Sequence, residues 1–381
     1  MKIGIDKIGF YVPKLYLDIE TLAINREVDP MKYKKGLMLD KMAVAPLNQD
    51  IISMGVNAAH SILTKEDIEK IDMVLFATES SIDQSKAAAT HLISLLSLKK
   101  NIRALELKHA CYALTAAIQF AKNHVKENPE SKVLVVGSDI AKYGIKTDGE
   151  PTQGAGAIAL IISKDPCIAE IENVSGLYAD DIYDFWRPSY SPYAMVDGQY
   201  SNEMYKKFFL ESYEDYLKKS RHKKEDIDAF IFHIPYAKLG LKTLSLIEPN
   251  IESNLYQYFN QSIVYNQQVG NIYTGSLYLS LVSLLEQGEM KDNSRIGLFS
   301  YGSGAVAEFY TIKLVNGYKN HLNKIYHEKL LENRKALSIE SYESLISTHL
   351  TNDIKFEDEN ESYCELKEIS HQQRKYSIKA V

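Results

Sequence analysis

Cys111, Glu79 and His233 are the side chains of this sequence whose types and local settings suit nucleophilic and acid–base chemistry. Cys111 follows a β-like run, Ile102–Leu107, and precedes a helical pattern over Leu114–Val125. Its sulfur therefore falls at a strand-to-helix turn, where unpaired helix N–H groups favour negative charge. A thiol so placed ionises readily, with pKa values lowered to roughly 3.5–7.5 in known cases; the plainer alternative is a small buried hydrophobe. Glu79 ends the apolar run Met73–Thr78. A carboxylate at the mouth of a buried strand is poorly solvated, which raises its pKa and makes it a usable base near neutrality. The commoner fate of such a residue is a helix cap or a surface charge. His233 ends Ala229–Phe232 in the second half much as Glu79 ends its strand in the first; a lone histidine there is usually structural.

Other polar groups could serve a ligand. Pro151–Ala157 and Ser300–Ala305 are glycine-rich runs that precede strands. Neither continues into Lys-Ser/Thr or opens a helix, so neither is a phosphate loop. Their glycines permit either close backbone approach to a ligand, with N–H groups free for an oxyanion, or simply tight turns. Asn271, in a polar loop entering an apolar helix, could orient a carbonyl or cap that helix. Lys238 and Lys242, four apart, suit phosphates at a cleft rim or a solvated helix face.

The elements that must position these groups alternate. Strand signals at Ile3–Val12, Met73–Glu79, Ile102–Leu107, Val133–Ser138 and Ala155–Ser163 are separated by helical patterns at Asn48–Leu63, Ser85–Leu98 and Leu114–Asn128. This argues for an α/β domain with partly parallel pairing. The second half repeats the theme: a helix over Glu203–Lys219, a strand at Ala229–His233, a helix at Gly275–Gln287, and strands at Arg295–Ser300 and Ala305–Val315. Lys65-Glu66-Asp67-Ile68 and Lys224-Glu225-Asp226-Ile227 each lead into a strand, and the two glycine runs echo each other. Together the echoes imply two similar halves joined near Ser163–Asn173. After Asn352 the chain turns acidic and poor in apolar residues, which predicts a peripheral, partly irregular segment.

Bulk properties set limits. The 381 residues suffice for one large core or two joined ones, and 45% hydrophobic with 25% charged residues is an ordinary globular mixture. A net charge of −6 leaves no nucleic-acid or polybasic membrane footprint. No run reaches the roughly 18 apolar residues of a membrane span, and the start of the chain reads as a strand rather than a signal peptide. Cys111, Cys167 and Cys364 show no metal-type spacing and no disulfide framework. A cytoplasmic enzyme with reduced thiols is the simplest account. The 26 tyrosines are scattered and carry no functional reading.

Taken in order, Thr78-Glu79-Ser80, Ala110–Ala113, Gly149–Ala157, Tyr183–Pro188, Phe232-His233, Val269–Ser276 and Phe299–Gly304 resemble the motifs of bacterial hydroxymethylglutaryl-CoA synthases of the mevalonate pathway, from Ile3 to about Leu330. The resemblance implies a thiolase-like fold, two similar βα halves in a five-layered αβαβα arrangement, with a first half over 1–165, a second over 166–350 and a peripheral segment over 351–381. It implies a homodimeric acyltransferase that joins acetyl-CoA to acetoacetyl-CoA, with coenzyme A thioesters as substrates and no metal or redox cofactor. Cys111 would carry the acetyl group, Glu79 would take a proton from its methyl, and His233 would protonate the new alkoxide. The backbone N–H groups of Cys111 and Ser303 would form the oxyanion hole. Tyr143, Thr152, Asp184 and Asn271 would line the acyl pocket, while Lys238 and Asp29 would serve the coenzyme A cleft.

The sequence departs from those motifs at three places. His109 stands where many relatives carry Glu, Leu114 is bulkier than the small residue common there, and Gly36-Leu37-Met38-Leu39-Asp40 replaces Gly-Leu-Gly-Gln. Three rival readings share the motifs: a ketoacyl synthase III-type condensing enzyme, a polyketide β-branching synthase acting on carrier-bound substrates, and a catalytically silent thiolase-fold binding protein. The retention of Cys111, Glu79 and His233 argues against the last.

Overall fold

A computed structural model describes residues 1–350, 353–357 and 362–379. Nine strands form its main sheet: β1 (Ile3–Tyr11), β2 (Ile71–Ala77), β3 (Arg103–Leu107), β4 (Lys132–Ile140), β5 (Ala155–Lys164), β6 (Ala169–Ala179), β7 (Ala229–Phe232), β8 (Arg295–Gly302) and β9 (Val306–Leu314). Their order across the sheet is β7-β8-β9-β6-β1-β5-β4-β2-β3. The middle of this array is its most instructive part. β1 and β6 pair antiparallel over only two positions, Gly4 with Glu170 and Ile5 with Ala169. On either side the same pattern unfolds, β1-β5-β4-β2 matching β6-β9-β8-β7, with two antiparallel pairings and then a parallel one in each arm. The two halves of the chain thus repeat one topology about the β1–β6 seam.

Burial follows from patterning. β4 and β5 are apolar almost throughout, as strands covered on both faces must be. Helices α1 (Ile51–His60) and Ala88–Leu95 pack one face of the first arm in a cluster with Phe76, Leu134 and Ile161. Helices α2 (Ala113–Glu127) and α4 (Ser276–Gln287) lie in the middle layer and share one core with residues of both arms. Helix α3 (Gly198–Ser220) covers the outer face of the second arm through Phe208, Phe209, Tyr213 and Tyr216. The layers therefore run helix, strand, helix, strand, helix, the thiolase-like arrangement.

The junction expected near Ser163–Asn173 falls between the end of β5 at Lys164 and the start of β6 at Ala169, but β6 itself was missed because its alternating polar positions hide a strand at the centre of the sheet. One expectation needs correction. The segment after Asn352 is not irregular where it is described. Cys364–Ser370 and Gln373–Ile378 form a hairpin that buries Cys364 and Leu366, and Cys364 exchanges backbone bonds with the side chain of Asn57 at 2.8 and 3.0 Å.

Candidate active site

The loop after β3 delivers Cys111 to the start of α2, with Ala110 held at φ 37° just before it. The loop after β2 delivers Glu79, and the two side chains meet with Cys111 Sγ 3.6 Å from Glu79 Oε2. From the second arm, His233 directly follows β7, its N–H donating to Phe299 at 2.7 Å and its carbonyl accepting from the Tyr205 hydroxyl. Cys111, Tyr143, Thr152, His233, Asn271 and Ser303 line one cavity of about 250 Å³, walled further by Phe185, Tyr205, Tyr273 and Tyr301. Tyrosines that carried no reading in the sequence thus make much of its wall.

The electrostatics differ from the sequence expectation. The Cys111 thiol is pushed well above its ordinary range, by burial first and then by the nearby Glu79 and Asp139 carboxylates. The helix start that was expected to favour a thiolate is outweighed by burial of the sulfur, with acidic rather than basic neighbours adding to it. Burial, then Asp139, also raises Glu79, to about 8. The resting pair is therefore thiol and carboxylic acid, and Cys111 becomes nucleophilic as Glu79 ionises and takes its proton. Burial lowers His233 to about 3, and its Nδ1 has no partner among the described residues. The imidazole is neutral at neutral pH and can donate one ring N–H.

Asp139, at the end of β4, escaped sequence reasoning and organises this corner. Its Oδ1 accepts from Thr78 Oγ1 (2.8 Å), Glu79 N (2.9 Å), Ser80 N (3.1 Å) and Ser80 Oγ (2.9 Å). Its Oδ2 accepts from Thr274 N (3.1 Å) and Thr274 Oγ1 (2.7 Å). One buried carboxylate thus fixes the Glu79 turn to a loop of the second arm. The only sequence signal was an acid closing the otherwise apolar run Val133–Ser138.

The remaining expected residues divide. Asn271 reaches the cavity with Nδ2 donating to Tyr143 Oη at 3.1 Å, while its Oδ1 accepts from Tyr273 N at 2.9 Å and Ser276 Oγ at 2.8 Å. It therefore stands in the pocket wall, held by the turn that follows it, and does not cap the helix, whose start makes no side-chain cap bond. Thr152 lines the cavity and hydrogen-bonds the Gly149 carbonyl at 2.8 Å. Asp184 is not a wall residue: fully buried, it accepts from Tyr301 Oη at 2.6 Å and Gly304 N at 2.9 Å, and so holds the Ser303 loop from behind. Asp29 is exposed and caps the short helix Pro30–Lys34 through Met31 N at 2.9 Å. Lys238 is half-buried outside this cavity, whereas Lys242 and Lys206 sit in a shallower one that shares Tyr236 and Leu239 with it.

The glycine runs serve packing. A Cβ on Gly270, whose φ is +83°, would lie 2.2 Å from the Gln153 carbonyl oxygen, and one on Gly154 would lie 2.6 Å from that of Val269. These two motifs pass backbone against backbone, one from each half. Gly302 is pressed against the nucleophile turn, where a Cβ would lie 2.5 Å from that of Tyr112 and 3.0 Å from His109 Cδ2. The Glu150 carboxylate in the first motif is gripped bidentately by Arg26 at 2.8 Å.

A strand-to-helix cysteine at the centre of a duplicated, five-layered α/β fold, with an acid and a histidine delivered by corresponding strands, defines a thiolase-like condensing enzyme. Residues 1–167 match the hydroxymethylglutaryl-coenzyme A synthase N-terminal family model, and residues 169–254 and 250–373 match the C-terminal one. The chain belongs to the hydroxymethylglutaryl-CoA synthase family. It is 49% identical to the Enterococcus faecalis hydroxymethylglutaryl-CoA synthase, across 99% of this chain and 100% of that one. It is 30% identical to the Bacillus subtilis polyketide biosynthesis 3-hydroxy-3-methylglutaryl-ACP synthase PksG, across 90% and 87% of the two chains. A crystal structure of an HMG-CoA synthase complexed with CoA superposes with a TM-score of 0.96 at 44% identity, covering 99% of this chain and 100% of the other. A structure of MvaS in complex with 3-hydroxy-3-methylglutaryl coenzyme A gives 0.88 at 32%, covering 99% of both.

Proposed function

We propose that this protein condenses acetyl-CoA with acetoacetyl-CoA and water to give 3-hydroxy-3-methylglutaryl-CoA and coenzyme A, as an acyltransferase of the mevalonate route to isoprenoids. The observation that carries the reading is the Cys111–Glu79 contact of 3.6 Å, with Cys111 lining one cavity together with His233 and Asn271. In the first step Cys111 sulfur attacks the acetyl-CoA carbonyl, the carbon–sulfur bond to coenzyme A breaks, and the thiol proton passes through Glu79 to the departing thiolate. Ionised Glu79 then takes a proton from the methyl of acetyl-Cys111. Backbone N–H groups of Cys111 and Ser303 stabilise the enolate oxygen. The enolate carbon bonds to the ketone carbon of acetoacetyl-CoA while neutral His233 donates its ring N–H to the ketone oxygen. As the alkoxide takes the His233 proton, the proton Glu79 removed is returned to the imidazole, so His233 ends neutral and Glu79 ionised. Water adds to the enzyme thioester, the bond to Cys111 breaks, one water proton restores the thiol, and the other leaves to solvent as the product departs as a carboxylate. No step calls on a metal or redox cofactor.

Lys242 and Lys206, which line the shallower cavity, would meet the phosphates of coenzyme A. A homodimer is supported by the sheet edge: β3 ends the sheet with Leu105 exposed, and Phe120 of α2 is exposed as well. A cytoplasmic setting is supported by three free cysteines. Among the described residues no helix is long and apolar enough to cross a membrane.

Chromatography of a reaction containing both thioesters tests this reading. Hydroxymethylglutaryl-CoA is expected to accumulate as acetoacetyl-CoA disappears. Turnover of acetoacetyl groups on a carrier protein, with none on coenzyme A, would overturn it for the polyketide-type reaction.

A further inference from the structure

A separate cavity of about 380 Å³ is lined by Ser80, Ser81 and Ile82, which follow Glu79 in its turn, and shares no residue with the acyl pocket. Its walls are largely apolar, with Ile82, Ile140 and Leu345 among them, yet Lys142 and Arg187 both open on it. Lys142 is half-buried, and its ammonium makes neither an ion pair nor a hydrogen bond with any described residue. The Arg187 guanidinium donates only to the backbone carbonyl of Glu79, a neutral acceptor. A third cation in the lining, Arg374, is already matched by Asp50 at 3.0 Å, and Asp50 also accepts from Tyr376 at 2.8 Å. Arg187 is exposed and also faces the Glu79 carboxylate in a neighbouring cavity, so the half-buried Lys142 ammonium is the charge here that no described carboxylate answers.

A buried charge is costly unless paired, and lysine is rarely buried without a partner. Burial, with the like charge of Arg187, lowers the Lys142 pKa, the mark of an ammonium lacking its counter-charge. Residue 142 is also neighbour to Tyr143, whose side chain takes the opposite direction into the acyl pocket. The volume suits a small ligand. A bare inorganic anion would answer the charges and leave the aliphatic wall unfilled; a carboxylate on a short chain answers both. We propose that this cavity binds a short aliphatic carboxylate, its oxygens on Lys142 and Arg187 and its chain against Ile82, Ile140 and Leu345.

Isothermal titration of the full chain with hexanoate tests the proposal, after alkylation of Cys111 with iodoacetamide has closed the acyl pocket. Inorganic phosphate serves as the comparison ion. Saturable binding of one hexanoate per chain is expected, tighter than that of phosphate, and weakened at least about tenfold by Lys142→Met, as loss of a charge-assisted hydrogen bond requires. Lys142→Met keeps the length of the side chain and removes an unpaired charge, so its thermal midpoint should equal or exceed that of the parent. Absence of saturable hexanoate binding, unchanged affinity in Lys142→Met, or phosphate binding as tight as hexanoate would overturn the proposal. So would a lower thermal midpoint of Lys142→Met, which would reveal a structural role for the ammonium.

Discussion

Glu79 should make this protein less stable as the pH rises, and Glu79→Gln should abolish that dependence. The carboxyl ionises near 4.5 in an unfolded chain and near 8 in the folded site, because burial and Asp139 oppose its charge. The folded state therefore holds this proton more tightly than the unfolded state does. Its stabilising contribution is complete below pH 4.5 and is lost as the pH climbs through 8. The full difference is worth about 5 kcal/mol, and partial contact of Glu79 with solvent reduces what is realised to about 3–4. Urea unfolding of the parent and Glu79→Gln at pH 5 and pH 9 reads it directly. The gap between the two proteins should shift by about 3–4 kcal/mol in favour of Glu79→Gln at the higher pH. A gap that stays constant within 1 kcal/mol would refute the claim that Glu79 rests protonated beside Cys111.

Asp139→Ala leaves three backbone donors, Glu79 N, Ser80 N and Thr274 N, facing an empty site; unfolding free energy should fall by about 3–5 kcal/mol and kcat by about 10²-fold, measured by denaturation and steady-state turnover. Gly302→Ala would thrust a methyl group against Tyr112 and part the nucleophile turn from the Ser303 loop; kcat should drop more than tenfold while stability falls by about 1–3 kcal/mol. His327, whose Nε2 accepts from Phe10 N at 3.3 Å and whose Nδ1 donates to Glu286 at 2.7 Å, ties β1 to α4. Its replacement by Ala should cost about 3–5 kcal/mol in urea without changing KM, since Glu286 would stay buried without this partner.

Much of this site is legible in the sequence because its active groups sit at element ends. Cys111 before α2, Glu79 after β2 and His233 after β7 are each announced by an apolar run that stops at a polar residue. Their convergence follows from duplication, which the echo of Lys65–Ile68 in Lys224–Ile227 signals, because both segments feed corresponding strands of the two arms. What stays hidden is whatever depends on the far side of a residue. Asp184 and Asp139 are both acids near strand or loop ends, yet one braces Gly304 and the other gathers six donors, distinctions set by tertiary neighbours. The helix-start argument for Cys111 is sound locally and loses to burial first and then to two carboxylates from other strands. β6 alternates too politely to look central, since its outward face meets only partial burial. Gly154 could be read as a ligand glycine or a turn until it is seen against the Val269 and Asn271 carbonyls.

The central claim is an acetyl group carried on Cys111 and discharged by condensation. Intact mass after incubation with acetyl-CoA, on the parent and on Cys111→Ala, followed by addition of acetoacetyl-CoA, tests it most directly. One acetyl adduct on the parent alone, lost as hydroxymethylglutaryl-CoA forms, is the predicted result. Folded parent protein that takes up no acetyl group, or Cys111→Ala that takes up as much, would contradict it.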